Sequence, residues 1–365
     1  MKREDGAGMS DKSQPDFMNA SRVLREFFAS LGLSKFSAEL YWVLAVKGPM
    51  SLSDLSEELG AKPPQLHSYL KELAQVGLVE VSYGRPNVYR AVPPSVVEKL
   101  FDQRVRELKS QALALLSSSY STEKRSEKEE FLVYVLRNWR SFLARAEEVI
   151  KEASVDLVVC GDARFVSSLS TVLEAKEEEG VNVYVLLYEV PGVPVDRESI
   201  PKVRKVKRYI SGDVVAIADS RLAAVTQRRM GPYQTPSYGL IIEEPVLIDF
   251  LQHDFFNRWI RSEALCDDPV RLPTSFTFFR LALLEAEVLI RRGCRLRATV
   301  YGMHLRKGRE AMIEGEVTGV VLDGATGLAQ LVLNVNGERV TVGSEDAVVE
   351  DVAAYRVELR GCSGG

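Results

Sequence analysis

Leu24, Phe27, Phe28 and Leu31 recur at i, i+3, i+4 and i+7, the stripe of an amphipathic helix that Gly32 ends. SAELYWVLAVKG predicts a second helix, broken at Gly48-Pro49. Ser51 and Asp54 have the spacing of a capping box and open a third, with Leu52, Leu55 and Leu59 on one face and Gly60 as its stop. Pro63 and Pro64 suit the first turn of a fourth helix, where their missing N–H groups would be unpaired anyway. On that helix Leu66, Leu70 and Leu73 point to a core, and Gln65, His67, Ser68, Lys71 and Gln75 lie on or beside the outer face. LVEVSY and VYRAV then alternate as strands around a Gly-Arg-Pro-Asn turn, a hairpin with Arg85 at its tip. Four helices and a hairpin predict a winged helix-turn-helix over residues 20–93.

From Pro94 a longer helix, 94–120, carries Phe101, Val105, Leu108, Ala112 and Leu115 at spacings of four and three. Two heptads fit either packing against the helix's own domain or a dimer seam built on Phe101, Val105, Leu108 and Leu115. Helix-turn-helix readers commonly dimerise over two half-sites, which favours the seam. The polar run from Ser117 to Glu130 marks a domain boundary. Beyond it, strand and helix patterns alternate, predicting an α/β domain of parallel strands over 121–265, with KVRKVKRY as a basic edge strand. A helix and five or so short strands follow, including a tight hairpin at Asn336-Gly337, and predict a small β-barrel over 266–365. Residues 1–19 lack any apolar period and read as a disordered tail. The fold class is multidomain α+β.

Composition narrows the function. No apolar run approaches the roughly 20 residues that span a bilayer, and the start lacks a signal peptide's apolar stretch, so a cytoplasmic location without membrane contact is expected. Four cysteines lie far apart without a CxxC pair, and there are only three histidines. Zinc ribbons, polyhistidine metal sites and histidine-based catalysis are therefore disfavoured, and no cofactor or metal is expected. The net charge of −4 leaves room for a local basic surface, although residues 20–116 hold 12 Lys plus Arg against 10 Asp plus Glu.

In a winged helix the fourth helix lies in the major groove, which makes Lys62, Gln65, His67, Ser68 and Lys71 candidates for bases or phosphates. Arg85 on the wing and Arg90 on the returning strand are candidates for phosphate or minor-groove contact. The middle domain's strand order is similar to the phospholipase-D-like fold, whose chemistry needs a nucleophilic His beside a Lys. Its single histidine, His253, has no lysine two residues on and falls in a helix expected to pack, so no enzyme is expected. Near the C-terminus GSEDAVVED offers Ser344, Glu345, Asp346, Glu350 and Asp351, and carboxylates are good acceptors for a sugar's paired hydroxyls.

The order of parts, with LGLSKFSAELYWVLAVKGPMSLSDLSEELG, PPQLHSYLKELAQVGLVE and GRPNVYRAVPP followed by DLVVCGDARF, YGLIIEE and VTVGSEDAVVED, resembles the TrmB family of archaeal sugar-sensing transcriptional regulators. The resemblance implies a winged domain on promoter DNA, a dimerising helix, and a saccharide held between a phospholipase-D-like domain and a barrel. It assigns the family's acidic pocket residue to Glu350, preceded by Val348 and Val349. The chain departs from the family pattern where Ser344-Glu345 replace a Gly-Met pair, Gly239 replaces a polar serine, and an asparagine is lost near Leu328. The expected partners are double-stranded DNA, a saccharide-class effector and a second copy of the chain. The alternative is an architectural DNA-binding protein that responds to no effector.

Overall fold

The structure is a computed structural model that describes residues 14–30, 32–119, 132–190, 192–193, 195–196, 200–227, 236–323 and 326–361. The chain divides into two units, Met1–Ser126 and Glu127–Gly365.

In the first unit α1 (Gln14–Ser30), α2 (Lys35–Lys47), α3 (Leu52–Leu59) and α4 (Pro63–Gln75) precede the hairpin of β2 (Val79–Ser82) and β3 (Val88–Ala91). β1 (Met50–Ser51) adds to β3 on its other side. α1 starts inside the segment expected to be a tail, whose residues 1–13 lie outside the described ones. α3 starts where its cap dictates: Ser51 and Asp54 bond reciprocally, and Gly60 ends it in the left-handed conformation at φ 61°. Leu66, Leu70 and Leu73 seat α4 on a core shared with Phe28, Leu40, Leu44 and Leu55. Ser37 Oγ of α2 donates to Glu72 Oε2 of α4 at 2.9 Å, and Tyr41 OH ties α2 to the end of the hairpin by donating to the Val92 carbonyl at 2.8 Å.

α5 (Pro94–Ser119) corrects one expectation. Phe101 is buried in this unit's own core, stacked on Phe27 at 3.6 Å between ring centroids, and so is not part of an exposed seam. An aromatic ring desolvated among its own domain's side chains is not available to a partner. Val105, Leu108 and Leu115 further along are exposed.

The second unit is built on an eight-stranded sheet whose strands are β4 (Val133–Leu136), β5 (Asp156–Asp162), β6 (Asn182–Tyr188), β7 (Lys205–Tyr209), β8 (Asp213–Ala218), β9 (Leu222–Gln227), β10 (Gly239–Ile242) and β11 (Glu263–Asp267). Their order is β11-β7-β6-β5-β8-β9-β10-β4. Only β5, β6 and β7 run parallel to their neighbours in that group, and every other pairing is antiparallel. The sheet of parallel strands expected from the alternation is thus mixed: three residues separate β8 from β9, enough for a hairpin only, whereas parallel pairs need a crossover. β7 is also not an edge. β11 covers it, and its Lys205 is buried against Asp267 and Glu285 at 2.9 and 2.8 Å.

Every residue of β5 is buried because both sheet faces are covered. Leu157 and Val159 pack under α6 (Trp139–Glu152) and α7 (Ala163–Glu178), while Val158 and Cys160 face α8 (Pro245–Trp259). The α8 core continues through α9 (Phe279–Arg291) into a second sheet of β12 (Thr274–Phe276), β13 (Leu296–His304), β14 (Arg309–Leu322), β15 (Ala329–Val335), β16 (Glu338–Gly343) and β17 (Val352–Gly361). Its order is β12-β17-β13-β14-β15-β16, and a parallel pairing of β16 with β17 turns it back on itself. Gly302 faces the bulge where β13 meets β17, where a Cβ would lie 2.0 Å from the Ala353 carbonyl oxygen. Asn336 and Gly337, both with positive φ, make the β15–β16 turn.

Asp156, first residue of β5, ties the two halves of this unit. Its carboxylate accepts from Thr277 N and Thr277 Oγ at 2.6 Å each and from Phe278 N at 2.9 Å. Phe278, the residue before α9, has no capping side chain, so a strand 121 residues away in sequence supplies the acceptor that this helix start lacks. Burial pushes the Asp156 carboxyl up to about 6, against the pull of those hydrogen bonds.

Candidate functional sites

On the first unit, Lys62, Gln65, His67, Ser68 and Lys71 are exposed on or at the start of α4, opposite its leucines. Arg85 is exposed at the hairpin tip, where Asn87 Oδ1 accepts from Gly84 N at 3.1 Å and closes the turn. Among the described residues Lys62, Lys71 and Arg85 pair with no carboxylate, whereas Arg90 Nε donates to Glu80 Oε2 at 2.8 Å across the hairpin. The face is polar, exposed and carries unspent positive charge, which suits a phosphate-lined groove.

On the second unit a cleft of about 320 Å³ opens beside α8. Asp249, Gln252 and His253 of α8 line it, with Ser220 from the β8–β9 turn, Thr277 to Arg280 at the start of α9, and Ser344 to Asp346 after β16. The bonds from Asp156 to Thr277 and Phe278 therefore also position one cleft wall. Gln252 Nε2 donates to Ser220 Oγ at 2.6 Å, fixing α8 to the β8–β9 turn. His253 was expected to be packed in its helix, but it faces this cleft, half-buried. Its Nε2 lies 3.5 Å from Asp249 Oδ2 and 3.8 Å from Asp346 Oδ2.

These carboxylates crowd one another. Partial burial and the Asp346 charge raise the Asp249 carboxyl above its usual range, against the opposing influence of His253 and Arg280. Glu345 is raised by burial and by Asp249 and Asp346. Arg280 carries its cation over the Phe256 ring at 5.5 Å, with a buried Nε that has no hydrogen-bond partner. The cleft can accept hydrogen bonds from hydroxyls or hold a cation, and one ligand atom each from Asp249, His253 and Asp346 lies within 4.8 Å of the others.

The residues assigned from the family pattern do not all meet here. Ser344 lines the cleft and donates to Asp346 Oδ1. Glu350 does not line it: its side chain is 8% exposed, accepts from Gln330 Nε2 at 3.1 Å and from Val349 N at 3.1 Å, and packs beneath Gly343. Val348 and Val349 point outward, 86% and 71% exposed. Gly239 sits in β10 against α6, where a Cβ would fall 2.2 Å from the Phe142 ring, so its lack of a side chain serves packing on the sheet face away from α8. Asp249, His253 and Arg280 escaped the sequence reading. The Asp–His spacing of four on α8 was the available signal.

A winged helix with an exposed polar face on α4 is followed in the chain by an α/β and closed-sheet unit bearing a cleft, and what such a chain does is decided by its family and site rather than its fold. The chain belongs to the TrmB family. Residues 28–95 match the sugar-specific transcriptional regulator TrmB, 132–265 the N-terminal subdomain of the TrmB EBD, and 271–361 the C-terminal subdomain of the TrmB/TrmBL1 EBD. The HTH-type sugar sensing transcriptional regulator TrmBL1 of Pyrococcus furiosus is 24% identical over 163 residues, 44% of this chain and 46% of that protein. This match spans less than half of the relative's length. TrmBL2, an archaeal chromatin protein of solved structure, is 18% identical at a TM-score of 0.42, covering 67% of this chain and 99% of the other. The phospholipase D family member Nuc from Salmonella typhimurium is 15% identical at a TM-score of 0.31, covering 38% and 100%. Among the described residues no helix is long and apolar enough to cross a membrane.

Proposed function

We propose that this protein is a homodimeric transcriptional regulator whose affinity for operator DNA is set by a small hydroxylated effector, of the saccharide class, bound in the cleft beside α8. The observation that carries the reading is the cleft itself, which gathers Asp249, His253, Ser344 and Asp346 from both matched EBD subdomains into about 320 Å³. Ionised carboxylates accept paired hydroxyls, and a cavity of this size suits a small ligand. α4 and the Arg85 wing read the DNA, with Lys62 and Lys71 on its phosphates. α5 supplies the dimer contact through Val105, Leu108 and Leu115, which the unit's own core leaves exposed.

The test is reciprocity. Operator fragments are titrated with the full chain in the presence and absence of a saccharide panel, and each saccharide is titrated with and without operator. A true effector changes operator affinity by the same factor by which operator changes effector affinity. Operator affinity indifferent to every saccharide that binds would refute the effector reading. Sequence-specific binding with no response to any ligand would favour the architectural alternative.

A further inference from the structure

We propose that Asp249, His253 and Asp346 form a divalent-cation site that joins α8 to the loop after β16. Asp249 and His253 are one helical turn apart, so both side chains emerge on the same face of α8. Asp346 reaches them from the opposite wall, and the two walls belong to different EBD subdomains. The separations are longer than a direct hydrogen bond and also fit two ligands of one ion, although a protonated His253 would pair with both carboxylates at these distances. A direct N–H···O bond spans about 2.7–3.2 Å, whereas Nε2 lies 3.5 and 3.8 Å from the two carboxylate oxygens. Two donors of one ion, each about 2.0–2.2 Å from it, stand roughly 3–4 Å apart, as both His253–carboxylate pairs do, and all three ligand atoms lie within 4.8 Å of one another, so small side-chain shifts would close the site.

Charge points the same way. Asp249, Glu345 and Asp346 line the cleft with Arg280 as the one Lys or Arg among its lining residues. A divalent ion relieves the repulsion between these carboxylates. The imidazole sets the trio apart from an ordinary acidic patch: one nitrogen with two carboxylate oxygens suits zinc, manganese or iron over calcium or magnesium. Three protein ligands leave coordination positions to water or to a ligand oxygen, so the ion would both tie the two walls together and offer an anchor inside the cleft. The inference stands on these side chains alone and holds whichever effector uses the cleft.

The full chain, stripped with a chelator and dialysed, is titrated with manganese chloride by calorimetry. Manganese is chosen because Cys266 and Cys294, half-exposed and exposed, would compete for a thiophilic ion. The expected result is one saturable site per chain, weakened tenfold or more in His253→Ala and in Asp346→Ala. Unchanged thermal midpoints without metal show that both variants fold, and His253→Gln replaces His253→Ala if the latter does not. The midpoint of the wild type should rise with manganese and that of the variants should not. Absence of saturable binding to the wild type, or equal affinity in the Asp249→Ala, His253→Ala, Asp346→Ala triple variant, overturns the proposal. Saccharide titrations repeated in chelator separate the two ideas: a saccharide that binds there leaves the effector reading standing whatever manganese does.

Discussion

Asp156→Asn tests the tie between the halves of the second unit. The native carboxylate accepts three bonds at the start of α9, from Thr277 N, Thr277 Oγ and Phe278 N. Thr277 N and Phe278 N share Oδ2, so asparagine can keep both on its oxygen and turn its NH₂ to Thr277 Oγ, which then accepts instead of donating; the loss is the carboxyl's stronger bonding, about 1 kcal/mol. The pH dependence is the sharper signature. Folding raises this carboxyl from 3.8 to about 6, so the folded state binds its proton more tightly than the unfolded chain does. The associated stability is fully present below pH 4 and is lost as pH rises through 6. A proton held that much more tightly by the folded state is worth about 3 kcal/mol across this range. Urea unfolding of both proteins at pH 4, 5, 6 and 7, followed by far-UV circular dichroism, measures the difference in a form from which all other titrating groups cancel. The wild-type advantage over Asp156→Asn should shrink across this range, most steeply between pH 4 and 6. Parallel stability profiles would show that Asp156 is not buried at the head of α9 in the way its contacts indicate.

Phe101→Ala should destabilise the first unit by about 3–5 kcal/mol in urea unfolding, since it removes a ring stacked on Phe27, and Leu108→Glu should leave that unit's stability nearly unchanged while sedimentation shows a shift toward monomer. An intact Leu108→Glu dimer would move the interface elsewhere. Gly239→Ser, which installs the residue that the family resemblance implies there, should cost about 1–3 kcal/mol because its Cβ collides with Phe142, and unchanged unfolding would refute that packing. Lys71→Ala and Arg85→Ala should each weaken operator binding and flatten the plot of log affinity against log salt by about one unit, as expected for one lost phosphate contact. An unchanged slope in both would remove α4 and the wing from the interface.

The first unit was legible in the sequence because its signals are local. The Ser51–Asp54 box, the glycine stops and the leucine period of α4 each act over a few residues, and the fold merely combines them. The same holds for the Asn336-Gly337 turn, whose positive φ angles are written in its residue types. Strand direction was not legible, since periodicity is the same for a parallel and an antiparallel strand and only the pairing within the sheet decides it. Nor was the fate of single side chains. Phe101 has the spacing of a seam residue, yet the ring of Phe27, 74 positions earlier, claims it. Glu350 has the sequence context of a pocket acceptor, yet the loop after β16 folds it inward onto Gln330 and leaves Val348 and Val349 in solvent. The cleft assembles Asp249 and His253 with Asp346 from almost a hundred residues away, and α9 receives its first acceptor from Asp156. Such contacts depend on which surfaces meet when two sheets share one core, and no short-range pattern in the chain encodes that distance.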